Sequence, residues 1–195
     1  MSNGSLSCRQ VWDEMNDLLS KQKLVRNYNR RINMANYTVE TELFPIEALK
    51  VYSNYNLGQV IQTDDKEKYF SAHRGGSQGD YREGIKDKID NVVDCLSHFP
   101  LSKRAVITIP NNSAPIHSSD DDAKCMREIH FYLDEGVLNA TVWMRAQAAE
   151  IFPKNIHFVG SLMDTVANGV SNEDKTAIIG ELFYLATTLV SVRED

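Results

Sequence analysis

A chain of 195 residues, 42% hydrophobic and 25% charged, has ordinary globular composition and enough length for one well-buried core, so a single domain over 1–195 is expected. Its net charge of −6, with no lysine or arginine tract, argues against a nucleic-acid surface as its main business. No apolar run approaches the roughly 18 residues of a membrane helix, and the opening MSNGSLSCRQ lacks a signal-peptide core, so a cytoplasmic protein is expected. Cys8, Cys95 and Cys125 form no C-x-x-C pair, and the five histidines show no ligand spacing, which leaves a disulfide framework and a metal site without support.

Val11, Trp12, Met15, Leu18 and Leu19 recur at helical spacing and predict an amphipathic packing helix over 7–22. Next, Arg26-Asn27-Tyr28-Asn29-Arg30-Arg31 concentrates three arginines in an asparagine-rich, loop-like stretch, for which solvated charge is the usual explanation. Residues 37–43 alternate like a strand, and Pro45 suits the first turn of a helix reaching about Tyr52, on which Glu47 would ordinarily be an exposed residue. The stretch 62–84 is polar and marked by Arg74-Gly75-Gly76 and Ser77-Gln78-Gly79-Asp80 as loops. Ile85, Ile89, Val92, Val93 and Leu96 give a helical stripe over 85–98 that stops before Pro100. Ala105 to Ile109 then reads as a buried strand, followed by a turn-rich loop in which Asp120-Asp121-Asp122 comes just before Cys125.

The run from Lys124 to Asn155 organises the rest. Residues 128–134 and 137–144 alternate polar and apolar around Glu135-Gly136, the tight turn a hairpin requires. Cys125 therefore sits just before one strand and Arg145 just after its partner, and antiparallel pairing brings thiol and guanidinium back to one pocket. Three acidic residues beside the thiol would raise its pKa unless Arg145 or another cation compensates. A short helical stretch leads to Pro153-Lys154-Asn155. A mainly buried helix follows to about Asn168, with Gly169 as its stop, and then an apolar strand over 178–187.

Cys125, Phe131, Gly136, Leu138 and Arg145 stand in the order of the P-C-H, Q-F-x-x-x-x-G-x-L and R-S-x-D motifs of the thymidylate synthase superfamily, with Pro153-Lys154-Asn155 in place of its Pro-x-Asn after a one-residue shortening. The chain resembles that superfamily. Ile46-Glu47-Ala48-Leu49 is similar to its H-E-L-L-W-F-L segment, Ser102-Lys103-Arg104 to its S-R-R, and the stretch 177–184 to its P-G-D-F-V-W strand. Tyr81-Arg82-Glu83-Gly84-Ile85 is similar to its Y-G-R-x-W, with no role assigned.

The resemblance implies an α+β fold in which a mixed sheet, layered with helices, pairs two subunits through its exposed face. It implies addition of the Cys125 thiolate to C6 of a pyrimidine nucleoside monophosphate, making C5 nucleophilic toward a one-carbon unit. Arg145 would support the thiolate and bind phosphate, Glu47 would move protons, and Asn155 would read the base, favouring uracil. Lys103 and Arg104 would reach the partner's phosphate, although Lys103 loses the planar fork of an arginine. One of Arg26, Arg30 and Arg31 would clasp phosphate on a mobile loop. Methylenetetrahydrofolate is the family's one-carbon donor, but its aspartate is Ala148 here, Met126 and His130 replace a histidine and a glutamine, and Thr188-Leu189-Val190 stands where D-x-H-x-Y would bind ribose. Relative to typical members the chain ends early, at Asp195. Two readings follow: a diverged pyrimidine C5 transferase, or a non-catalytic nucleotide-binding or interaction homologue that retains the fold.

Overall fold

A computed structural model describes residues 4–69, 79–109, 124–172 and 176–191. Ser7 and Gln10 close a reciprocal capping box that starts helix α1 (Cys8–Lys21), whose Val11, Met15 and Leu19 are buried. Strand β1 (Leu6–Ser7) precedes it and β2 (Leu24–Asn33) follows. Helices α2 (Ile46–Asn56), α3 (Thr63–Tyr69) and α4 (Ile85–His98) lead to β3 (Val106–Thr108), β4 (Met126–Asp134) and β5 (Val137–Ala148). A short turn over Ala149–Ile151 opens helix α5 (Phe152–Val170), and β6 (Ile178–Val190) closes the described chain.

The fold is α+β: among the described residues six strands form one mixed sheet in the order β1-β2-β6-β5-β4-β3. Glu135 and Gly136 both take positive φ, 49° and 84°, the backbone a tight hairpin turn demands, and β4 pairs antiparallel with β5 across them. Parallel pairing of β5 with β6 requires a crossover, which α5 supplies with Pro153 in its first turn, where a missing N–H costs nothing. Ile129, Phe131, Leu138, Ala140, Val142, Leu182 and Tyr184 are buried on one face, in a common core with α1, α4 and α5. Gly160 of α5 is needed there because the Tyr37 ring lies against the helix backbone: a Cβ would come within 2.1 Å of Tyr37 Cγ.

Three expectations need correction. The arginine cluster is no loop: Arg26, Arg30 and Arg31 lie within β2, which pairs antiparallel with β6 and alternates so that Tyr28 and Ile32 are buried. The polar composition misled because half of a strand's side chains can face away from the core. Residues 37–43, despite their alternation, form no strand; Tyr37 and Val39 instead pack beside the helices as irregular chain. Finally, Arg145 is not beyond the hairpin but inside β5, which continues to Ala148 before turning into α5. Helices at 7–22, 85–98 and 155–168 are present close to their expected bounds, though α5 begins at Phe152 and passes Gly169. Asp120, Asp121 and Asp122 lie outside the described residues.

Candidate functional site

Cys125 stands at the entry to β4, where its carbonyl accepts a 2.7 Å hydrogen bond from the Arg145 backbone N–H. Next to it a β-bulge shifts the β4–β5 register between Met126 and Glu128. The hairpin thus fixes the thiol and the guanidinium on adjacent strands at one end of the sheet. Of the three cysteines, Cys8 is buried against the core, and burial pushes its thiol up to about 12, which leaves it inert. Cys95 is half-buried on α4 and lies 3.1 Å from Ser102 Oγ. Cys125, half-buried as well, is the one that meets a cluster of buried polar groups.

Three tyrosines make up that cluster. Tyr81, fully buried, accepts a hydrogen bond from the Met126 backbone N–H; burial and then the charge of Cys125 raise its phenol, while Arg145 acts in the opposite direction. Burial, then Tyr81, then Cys125 push Tyr52 up, and burial, Tyr81 and Cys125 do the same to Tyr184. All three phenols stay protonated donors around the thiol. Phe158 of α5 is the platform for two of them: Tyr81 stacks on it at 5.9 Å and Tyr52 meets it edge-on at 6.4 Å, while Tyr184 meets Phe152 at 5.5 Å.

On α5, Asn155 is held by a chain of hydrogen bonds. The Ala148 carbonyl can only accept, so Gln147 turns Nε2 to it at 2.6 Å and presents Oε1 to Asn155 Nδ2 at 3.0 Å and to the Tyr184 hydroxyl at 2.6 Å. Asn155 Oδ1 consequently faces Tyr52 OH at 3.4 Å, while Tyr52 donates to the Gly79 carbonyl at 2.9 Å. An amide has two N–H groups and two carbonyl lone pairs, so Asn155 keeps a donor and an acceptor for a ligand. Lys154, only 2% exposed, holds its ammonium 4.7 Å from the Tyr52 ring centroid.

The other expected residues are distributed more widely. Arg26 is at the same end of the sheet, with Nη1 donating to Thr188 Oγ1 at 2.5 Å. Arg30 is tied to α1 instead: its Nη2 and Nε reach the two Glu14 oxygens at 2.6 and 3.0 Å. Arg31 pairs with Glu181 at 3.6 Å. Lys103 and Arg104 are exposed between α4 and β3, and Glu47 is exposed on the first turn of α2. Helical spacing puts Glu47 on the side of Lys50 and Asn54, away from Tyr52. Among the described residues no group of three potential ligands surrounds a metal ion. At the position where a pterin would need a carboxylate, Ala148 offers a methyl group, and its carbonyl is already bonded to Gln147. These residues do not fit a folate held in that way.

Tyr52, Gln147, Lys154 and Tyr184 were not singled out from the sequence, and Tyr81 was quoted without a role. Tyr81, Lys154 and Tyr184 fall within motif-like stretches, but at positions to which the motifs give no role. The others look like core aromatic or helix-surface residues until the fold assembles them. A scan against protein-family models found no match, and a search of curated proteins likewise found none.

Proposed function

We propose that this chain is a thymidylate synthase-like enzyme acting at C5 of a pyrimidine nucleotide, with methyl or hydroxymethyl transfer through a cysteine adduct at C6. The observation that carries the reading is the convergence of Cys125, Arg145 and Asn155 from three elements, with Tyr52 and Tyr81 between them. Cys125 attacks C6, and Arg145 neutralises the thiolate and holds phosphate; Glu47 faces Lys50 and Asn54, so solvent rather than its carboxylate carries the proton. Asn155 reads the base: its Oδ1 accepts from N3–H and its remaining Nδ2–H donates to the C4 oxygen, a pattern that suits uracil. No step is routed through folate. The tie of Arg30 to Glu14 favours a second reading, a non-catalytic homologue, because it withdraws one candidate phosphate ligand.

A thermal-shift panel of UMP, dUMP, CMP, dCMP and inorganic phosphate tests the ligand class. A uracil monophosphate at a hundredfold excess over its dissociation constant should stabilise the fold by about 2.7 kcal/mol. Stabilisation by no monophosphate would favour the interaction homologue.

The sheet face opposite the helices supports a homodimer as part of the proposal. Trp143 and Phe183 are 44% and 37% exposed there, on strands whose register places Thr141 opposite Phe183 and Asn139 opposite Tyr132. A wet sheet face does not ordinarily carry such aromatics. Sedimentation at micromolar concentration should give a dimer, and Trp143→Glu a monomer. A monomeric parent protein would remove the pairing, and with it the reach of Lys103 and Arg104 into a partner's site.

A further inference from the structure

We infer that Lys154 is a catalytic residue of this site, an ammonium donor to the C4 oxygen of the bound base that stabilises the enolate formed when Cys125 adds to C6; the inference rests on the pyrimidine reading above. Lys154 is enclosed in the first turn of α5 beside Asn155, with its ammonium over the Tyr52 ring. Its placement is tightly defined. A Cβ built on Gly79 would come within 3.0 Å of Lys154 Nζ and 2.7 Å of Tyr52 OH, so the ammonium and the phenol crowd the same backbone point. Tyr52 OH is in turn 3.4 Å from Asn155 Oδ1 and feels the charge of Cys125. Lys154 therefore shares one wall with the amide that reads the base and the phenol next to the thiol.

The chemistry needs such a group. As the Cys125 sulfur bonds to C6, the C5–C6 π pair moves toward C4 and leaves negative charge on the C4 oxygen. That oxygen has two lone pairs, so it can accept from Asn155 Nδ2 and from Lys154 together. C5 of the enolate then takes a proton from solvent. Loss of the original C5 proton to a base and expulsion of the Cys125 thiolate restore the ring, with one hydrogen exchanged and no redox change. An ammonium beside the oxygen stabilises the charged intermediate more than the neutral ground state, which is the condition for raising the rate. The same group discriminates bases: it can only donate, so it matches the carbonyl of uracil and opposes the exocyclic amine of cytosine.

The test is C5 hydrogen exchange of UMP or dUMP in deuterated water, alongside equilibrium binding, for the parent protein, Lys154→Met and Lys154→Gln. Methionine should slow exchange by about 100-fold while UMP affinity falls far less, and should narrow the preference for UMP over CMP. Glutamine, which keeps an N–H donor without charge, should lie between. Exchange within threefold of the parent in both variants would overturn the role of Lys154 while leaving the pyrimidine reading intact. If methionine prevents folding, glutamine decides by the same threshold. A parent protein that binds no pyrimidine nucleotide overturns the reading itself, and one that binds but never exchanges overturns the catalytic role of both Cys125 and Lys154.

Discussion

Acidification from pH 7 to pH 4 is expected to remove about 3 kcal/mol of stability through His157 alone, because burial lowers its pKa from 6.5 to about 4. The ring lies in α5 with its Nδ1 2.6 Å from Ser53 Oγ and its edge against Tyr37, 5.3 Å between centroids. After burial, the charge of Lys50 is the second cause of the shift. The Tyr37 hydroxyl is itself engaged, donating to Asp164 at 2.5 Å. Folded His157 thus remains neutral down to about pH 4, whereas the unfolded chain takes up a proton near 6.5. The stabilisation is complete above 6.5 and disappears as pH falls toward 4. Carboxylates titrate over the same range, so the comparison is with His157→Gln, measured as urea unfolding free energies at several pH values. The difference between parent and variant should shrink by about 3 kcal/mol over that interval. Parallel curves would show that the imidazole is not desolvated as the packing requires.

Periodicity made much of the architecture legible before any coordinates. The α1, α4 and α5 stripes and the β4–β5 hairpin all carry apolar residues at spacings that only one kind of element can bury, and Glu135-Gly136 is a turn whose backbone few other pairs adopt. β2 was hidden because its arginines and asparagines occupy outward or half-buried positions, and its pairing with β6 joins residues far apart in sequence. The stretch 37–43 had the pattern of a strand but no strand partner, and tertiary packing of Tyr37 against Gly160 decided its path instead. Much the same holds for the candidate site. Cys125, Arg145 and Asn155 could be named because motif spacing joins them. Tyr52, Gln147 and Lys154 could not, since their roles come from convergence in space: Gln147 acts only by orienting Asn155, and Lys154 only by being buried beside Tyr52. Arg30 shows the converse, a residue chosen for its charge that the fold spends on Glu14.

Loss of the Cys125 thiol should have the largest effect of any single substitution on the proposed chemistry. Thiolate addition to C6, with the charge on the C4 oxygen met by Asn155 and Lys154, makes C5 nucleophilic, and solvent can quench it, so the half-reaction requires Cys125, Arg145, Asn155 and Lys154 but no aspartate at Ala148. Cys125→Ala removes the only step that creates the carbanion, while the half-buried side chain is small enough for the fold to tolerate its loss. Tritium release from a C5-labelled uracil nucleotide, followed for the parent protein and for Cys125→Ala at matched nucleotide occupancy, is the most direct measurement. The account predicts release by the parent and a fall of at least about a thousandfold in the variant. Release that continues undiminished in Cys125→Ala, or none from the parent with a nucleotide demonstrably bound, would contradict it.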